Sequence, residues 1–171
     1  AARLRERTVP GDRVMLISPV CLEFIASFFG CLYADLIAVP APPPSEPLPR
    51  YISRLVAIAA NCGAALRLAP SSLEATMHEL DRREPALAAV PLLLVQRETG
   101  RDDALPHEAG SDDLALLQYT SGSTSIPRGV MVTQGNLIEN ARAIIEAFGH
   151  DSSSVVVDWL PLFHDMGLVY G

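Results

Sequence analysis

The sequence has little of what marks several other protein classes. Aromatic residues make up 6% of its 171 residues, and cysteine occurs only as Cys21, Cys31 and Cys62. An odd number of cysteines without a CxxC pair argues against a zinc site or a disulfide framework and favours a reducing, cytoplasmic setting. Each cysteine lies in apolar sequence, so we expect small buried core residues rather than a catalytic thiol. No metal ligand is predicted.

Positive charge is also in short supply. Thirteen basic residues face twenty acidic ones, and the net charge is -7. A nucleic-acid-binding surface needs a basic stripe, so this balance excludes that class, while a local loop can still bind one phosphate group. The most apolar stretch is interrupted by Glu23 and Asp35, and the span between them is well short of the ~20 residues that cross a bilayer. We therefore expect no stable membrane insertion.

What the chain does contain is an alternation of short apolar runs and amphipathic segments. The runs predict strands at 14–18, 37–39, 65–68, 91–95, 114–119, 130–132 and 155–159. The longer segments predict helices at 22–34, 51–61, from 71 or 72 to about 83, and 134–148. Because the strands are continuously apolar, the fold class is α/β, with a mostly parallel sheet covered by helices on both faces.

Several local signals refine this expectation. The segment Pro40–Pro47 is predicted to break all regular structure, and the polar segment 97–113 is predicted to be a connecting loop. Ser71 or Ser72 is expected to cap its helix, and Gly63 to end the helix before it. The helix at 134–148 carries one continuous apolar stripe. The members of the stripe are Leu137, Ile138, Ala141, Ile144, Ile145 and Phe148.

The clearest candidate site is the loop Thr120–Gly129, which follows a predicted buried strand. Ligands bind at the carboxyl ends of strands in such sheets. Five hydroxyl side chains lie in six positions: Thr120, Ser121, Ser123, Thr124 and Ser125. Gly122 and Gly129 allow close backbone approach, Pro127 stiffens the loop, and Arg128 adds a planar cation. These groups suit a polyphosphate, although a solvated turn explains the composition about equally well.

Two common nucleotide motifs are missing from this loop. No Gly-Lys-Ser/Thr follows Gly122, so the loop is not a Walker P-loop, and no GxGxxG supports a dinucleotide fold.

The run Thr120-Ser-Gly-Ser-Thr-Ser-Ile-Pro-Arg-Gly-Val130 resembles the signature loop of the acyl-adenylate-forming superfamily, Thr-Ser-Gly-Ser/Thr-Thr-Gly-x-Pro-Lys-Gly-Val. The resemblance implies that the loop holds the β- and γ-phosphates of ATP. Ser125 stands in place of the usual Gly, where a Cβ restricts the backbone. Arg128 stands in place of the usual Lys, which keeps the charge and changes the reach.

A second segment, Trp159-Leu-Pro-Leu-Phe-His-Asp-Met-Gly-Leu168, follows the last predicted strand. Taken alone, His164 beside Asp165 favours a structural pair, in a turn fixed by the neighbouring Pro and Gly. The segment is similar to the corresponding one of fatty acyl-AMP ligases, which implies a place for His164 near the acyl group and the adenylate. Asp35 stands where these relatives usually have Gly.

The resemblance implies a partial N-terminal adenylation domain spanning 1–171, with the later subdomain, the C-terminal domain and the Mg²⁺ ligand outside it. The implied activity is ATP-dependent conversion of a fatty acid to acyl-AMP, for transfer to an acyl carrier protein or a polyketide synthase. We expect the isolated chain to be inactive. A fatty acyl-CoA ligase, a peptide-synthetase adenylation domain and a non-catalytic relative of the same fold remain alternatives.

Overall fold

Five parallel strands and one antiparallel edge strand form the sheet of this protein, in a computed structural model that describes residues 1–44, 48–96, 107–120 and 127–170. The strand order within these residues is β4-β3-β1-β2-β5-β6. Only the pairing of β5 with β6 is antiparallel. The strands are β1 Arg13–Ile17, β2 Ile37–Ala41, β3 Leu66–Pro70, β4 Leu92–Val95, β5 Leu114–Thr120 and β6 Arg128–Thr133.

Helices cover both faces of the sheet. They are α1 Ala2–Arg5, α2 Leu22–Tyr33, α3 Leu48–Cys62, α4 Glu74–Arg83, α5 Pro85–Ala88 and α6 Gln134–Phe148, with a 3₁₀ turn at Ser71–Leu73 and a π-helical turn at Met166–Tyr170. One apolar cluster joins α2 to one face, and a second joins α3, α4 and α5 to the other. The predicted α/β class, with a mostly parallel sheet and helices on both faces, is confirmed.

The central strands are buried because they carry apolar side chains on both faces. Every residue of β2 and β3 is buried, and in β1 only Arg13 is exposed. One charged side chain lies inside this core. Arg67 on β3 is 1% exposed, and its guanidinium donates to both carboxylate oxygens of Asp81 and to the Val90 carbonyl. The pair of donors on one carboxylate satisfies a charge that burial would otherwise destabilise.

Local signals at the helix ends agree with the sequence. Gly63 ends α3 in the left-handed region at φ 61°, as predicted. Thr133 begins α6 with a capping box, in which its hydroxyl accepts from Asn136 N and the Asn136 side chain accepts from Thr133 N. The helix α6 therefore has the predicted bounds.

Two predictions about turns and caps were wrong. Pro40 and Ala41 continue strand β2, because the pairing of β2 with β1 uses both residues and a proline fits where its missing N–H is not needed. The segment at 45–47 lies outside the described residues. Ser71 and Ser72 do not cap α4. They form a 3₁₀ turn, and the Ser71 hydroxyl donates to the Val95 carbonyl.

The predicted strand at 155–159 is also wrong. The segment has no regular secondary structure and forms no ladder within the described part of the chain, and Val155 and Trp159 are 87% and 85% exposed. A strand needs a partner for its backbone groups, and no described segment supplies one here. The apolar stripe of α6 is mostly exposed too: none of its side chains is buried, and Leu137 is the member that packs against the core.

The remaining predictions concern cysteines and connections. Cys31 and Cys62 are buried as expected, whereas Cys21 is half-buried, with its Sγ 3.2 Å from the Ser18 hydroxyl. Of the predicted loop 97–113, the part 97–106 lies outside the described residues. In the part of the chain that is described, no helix is both long and apolar enough to cross a bilayer. The short helices α1 and α5 were not anticipated.

Candidate functional site

Strand β5 delivers the predicted phosphate loop to the carboxyl edge of the parallel sheet. It runs parallel to β2, and β2 to β1, so Thr120 lies at the same edge as the ends of those strands. Ligand sites in open α/β sheets lie at this edge. The position of Thr120, the first residue of the predicted loop, thus agrees with the expectation from sequence.

The two ends of the loop lie side by side. Thr120 at the end of β5 and Arg128 at the start of β6 are register partners in the antiparallel pair, and both are exposed. Arg128 and Gly129 therefore belong to a strand rather than to the loop. The candidate residues Ser121, Gly122, Ser123, Thr124 and Ser125 lie outside the described residues. Among the residues that are described, no carboxylate pairs with Arg128, so its charge is available at the mouth of the loop.

Tyr119 packs against Gly129, at the described end of the loop, and was not predicted from the sequence as part of the site. A side chain at Gly129 would place its Cβ 3.0 Å from the Tyr119 ring, so the ring occupies the space that glycine leaves open. The Tyr119 hydroxyl donates a hydrogen bond of 2.6 Å to Asn61 Oδ1. Burial raises the pKa of Tyr119 to about 12, so at neutral pH the hydroxyl is a donor.

The second candidate segment forms a tight turn around His164. The backbone N–H of His164 donates to the Pro161 carbonyl at 3.0 Å, and the His164 carbonyl accepts from Gly167 N and Leu168 N. A Cβ at Gly167 would lie 2.5 Å from the Pro161 oxygen, so the turn closes only with glycine there. The prediction that Pro and Gly fix this turn is confirmed.

The His164 side chain projects from this turn toward solvent. It is 60% exposed, and its Nδ1 contacts Asp165 Oδ1, so the pair expected from sequence forms at the surface. The exposed imidazole is open to a ligand. Its Nδ1 lies beside the Asp165 carboxylate and accepts from the Met166 backbone N–H at 3.4 Å.

The structure brings the two candidate segments together through Gln118. This side chain on β5 donates from Nε2 to the Phe163 carbonyl at 3.1 Å, across 45 residues of sequence. Leu162 and Leu168 pack on the apolar cluster beneath. The available signal was a polar residue inside an otherwise apolar strand, two positions before the loop.

The described part of the site offers a hydroxyl and a guanidinium, which has no carboxylate partner among the described residues, at the paired ends of β5 and β6. It also offers an exposed imidazole on the turn that Gln118 joins to β5. A guanidinium with no carboxylate partner can bind and neutralise a phosphate oxygen. The imidazole can donate to, or accept from, a polar group held between the two segments.

Comparisons with known proteins agree with this geometry. The model of the AMP-binding enzyme family matches residues 1–171. The chain is 41% identical to the medium-chain-fatty-acid–[acyl-carrier-protein] ligase JamA of Moorena producens, over all of the chain and 30% of that protein. It is 40% identical to the long-chain-fatty-acid–AMP ligase FadD32 of Mycolicibacterium smegmatis, over 99% of the chain and 27% of that protein.

Solved structures give the same answer for the fold. A fatty acyl-adenylate ligase from Legionella pneumophila, in complex with acyl adenylate and pyrophosphate, superimposes with a TM-score of 0.80 at 33% identity, over 99% of the chain and 29% of that structure. The structure of McyG A-PCP complexed with phenylalanyl-adenylate matches with a TM-score of 0.84 at 23% identity, over 98% of the chain and 27% of that structure, which bears on the fold alone. The chain thus spans about a third or less of each of these proteins.

Proposed function

The chain belongs to the AMP-binding enzyme family, and from that membership we propose that it is the adenylation-domain portion of a fatty acyl-AMP ligase. The reaction joins a fatty-acid carboxylate to the α-phosphorus of ATP and releases pyrophosphate. The observation that carries the proposal is the hydrogen bond from Gln118, two residues before Thr120 on β5, to the Phe163 carbonyl beside His164, at the strand whose end pairs Thr120 with Arg128. The likeness to fatty acyl-AMP ligases over essentially the whole chain supports it.

We assign the phosphate-binding role to the loop between β5 and β6. Thr120, Arg128 and Gly129 lie at its described ends, and Ser121, Gly122, Ser123, Thr124 and Ser125 complete it. Adenylation develops negative charge on the departing pyrophosphate, and a fixed cation beside it stabilises that charge. The exposed guanidinium of Arg128 has the required sign and freedom. The Mg²⁺ that accompanies ATP is assigned to ligands outside this chain.

We assign His164 to the acyl-adenylate side of the site, because its turn lies beside the strand that leads into the loop. Positioning of the carboxylate against the phosphate supplies most of the rate acceleration in such a reaction. The acceptor of the acyl group is proposed to be an acyl carrier protein, free or within a polyketide synthase, as the name of the Moorena relative indicates for that protein. Its cysteine usage supports the proposal that the protein works in the reducing setting of the cytoplasm.

The test is ATP–pyrophosphate exchange with the complete enzyme and long-chain or medium-chain fatty acids. Arg128→Ala is expected to lower turnover by roughly 100-fold and to raise the KM for ATP more than that for the fatty acid, because one charged phosphate donor is lost. Arg142→Ala is the matched control, since it removes an exposed arginine that is paired with Glu139 on α6. Unchanged ATP affinity and turnover in Arg128→Ala would contradict the assignment.

Two rival functions are separated by further measurements. Competition between carrier protein and coenzyme A as acceptors distinguishes an acyl-AMP ligase from an acyl-CoA ligase, and amino-acid-dependent exchange would identify a peptide-synthetase domain. A non-catalytic relative would bind no ATP by calorimetry. The isolated 171 residues are proposed to give no exchange above a buffer blank, because the later motifs of the family lie outside them.

A further inference from the structure

A single buried amide connects the His164 turn to the sheet. Gln118 is 7% exposed and lies between the apolar residues Leu117 and Tyr119 on β5. Its Nε2 donates to the carbonyl of Phe163, the residue immediately before His164. This hydrogen bond therefore fixes the peptide group that joins Phe163 to His164.

Stability does not account for an amide at this position. In the described part of the structure, Gln118 Oε1 is buried without a hydrogen-bond partner. A buried polar atom left unpaired destabilises a fold, and an apolar side chain of similar shape avoids that cost. What the amide provides, and methionine or leucine would not, is the directional bond to Phe163.

The other attachments of this segment lack that direction or lie farther away. Leu162 and Leu168 pack on the apolar cluster, and apolar packing is not directional. Asn140 on α6 donates to the Val169 carbonyl at 2.9 Å, at the exposed far end of the segment. The bond from Gln118 is thus the contact that sets how the turn sits against β5.

We infer that Gln118 is a positioning residue that holds His164 in a fixed position relative to Thr120, the residue at which β5 ends and the phosphate loop begins. This inference rests on the proposed function, in which His164 lies beside the acyl adenylate. Gln118 precedes Thr120 by two residues on the same strand, so one rigid element orients both halves of the site. Misplacement of a reacting group by about 1 Å can cost ~100-fold in rate, and a lost directional bond allows a shift of that size.

The test uses Gln118→Met in the complete enzyme, with Tyr51→Phe as control. Tyr51 is equally buried, its hydroxyl has no partner in the described residues, and it lies in the cluster on the opposite face of the sheet. For Gln118→Met we expect faster amide hydrogen exchange in 161–168 and a kcat for adenylation lower by about 10- to 100-fold. The KM for ATP should not rise, and the denaturation midpoint should not fall. Tyr51→Phe should leave the amide exchange of 161–168, the kcat and the KM for ATP unchanged, and should not lower the denaturation midpoint.

A second variant covers the case in which methionine disturbs folding. Gln118→Glu keeps the shape but cannot donate when ionised, so its kcat relative to wild type should rise as the pH falls and the carboxyl group becomes a donor. Wild-type exchange of the 161–168 amides and wild-type kcat in Gln118→Met would overturn the inference, as would a pH-independent ratio for Gln118→Glu. If the wild-type enzyme itself gave no adenylation, the proposed function would fail, and amide exchange alone would decide whether Gln118 holds the turn.

Discussion

Tyr119 and Asn61 are 58 residues apart in sequence, yet the tyrosine hydroxyl donates a 2.6 Å hydrogen bond to the Asn61 side-chain oxygen. The bond joins the last buried residue of β5 to the final turn of α3. The hydroxyl end of the same ring occupies the space that a side chain at Gly129 would need. One side chain therefore connects the helix, the strand before the phosphate loop and the strand after it.

Removal of this hydroxyl should loosen the connection. Tyr119→Phe is expected to lower the free energy of unfolding by about 0.5–1.5 kcal/mol, the usual contribution of one hydrogen bond. Urea denaturation measures the change. Tyr33→Phe is the control, because Tyr33 is half-exposed. Removal of its hydroxyl should leave the urea midpoint unchanged. An unchanged midpoint for Tyr119→Phe as well would show that the Asn61 contact is not stabilising.

The raised pKa values of the buried Tyr119 hydroxyl and Cys31 thiol predict a loss of stability at alkaline pH. Burial raises the pKa of Tyr119 from 10.0 to about 12, and that of Cys31 from 9.0 to about 12. The folded state keeps protons that the unfolded chain releases, so this stabilisation is complete below about pH 9 and is lost as the pH rises toward 12. Unfolding free energies measured from pH 8 to 11 should fall, and less steeply in Tyr119→Phe. An equal slope in both proteins would contradict the assignment to Tyr119.

Gly167 is expected to tolerate no side chain. In Gly167→Ala the new Cβ would lie 2.5 Å from the Pro161 oxygen, so the turn must open, at a cost of about 1–3 kcal/mol. Gly30→Ala is the matched control. Its Cβ meets nothing closer than 3.6 Å within α2, so the helix should gain about 0.5–1 kcal/mol. Denaturation midpoints that move in the same direction for both variants would argue against a closed turn.

The buried ion pair of Arg67 with Asp81 predicts an asymmetric pair of results. Asp81→Ala leaves a guanidinium buried without its charge partner and should cost about 3–5 kcal/mol, whereas the double replacement Arg67→Met with Asp81→Leu should recover most of that loss. Glu79→Ala breaks exposed pairs with Arg82 and Arg83 on the same helix and should change the midpoint little. A double variant as unstable as Asp81→Ala would contradict this account.

Asp35 occupies the left-handed position after α2 that glycine usually takes. Its φ is 61°, and the bonds from Asp35 N to Leu32 O and from Leu36 N to Cys31 O complete the helix-ending motif. Asp35→Ala should cost about 1–2 kcal/mol, because alanine is strained at positive φ and cannot bond locally. Asp35→Gly should not lower stability, although it also removes the contact with His107. Equal effects of alanine and glycine would mean that the backbone does not decide this position.

The sequence was sufficient for the architecture because local and global signals agree in most of it. The mostly apolar runs at β1, β3 and β5 and the capped helix α6 could be predicted without knowledge of their neighbours. Predictions were wrong where the structure of a segment depends on whether a strand lies beside it. Pro40 joins a strand because β1 lies beside it, and the segment at 155–159 stays unpaired because no described strand does.

The sequence reveals the motifs of the candidate site but not the residues that hold those motifs in place. The resemblance of Thr120–Gly129 to a family motif, rather than its composition, predicts a phosphate loop, and His164 lies in a second such motif. Gln118, Tyr119 and Asn61 belong to no motif, and a polar residue within β5 is the one local hint at Gln118, because their roles come from contacts across 45 and 58 residues. Only the folded chain brings them to the loop and the turn.

The antiparallel strand β6 has a consequence for handling the protein. It is the edge of the described sheet, and Val130 and Met131 are exposed along it. Unpaired N–H and C=O groups beside apolar side chains offer a template on which a second molecule can add a strand. Preparations of the 171-residue chain alone should therefore self-associate as the concentration rises. Met131→Lys should keep them monomeric.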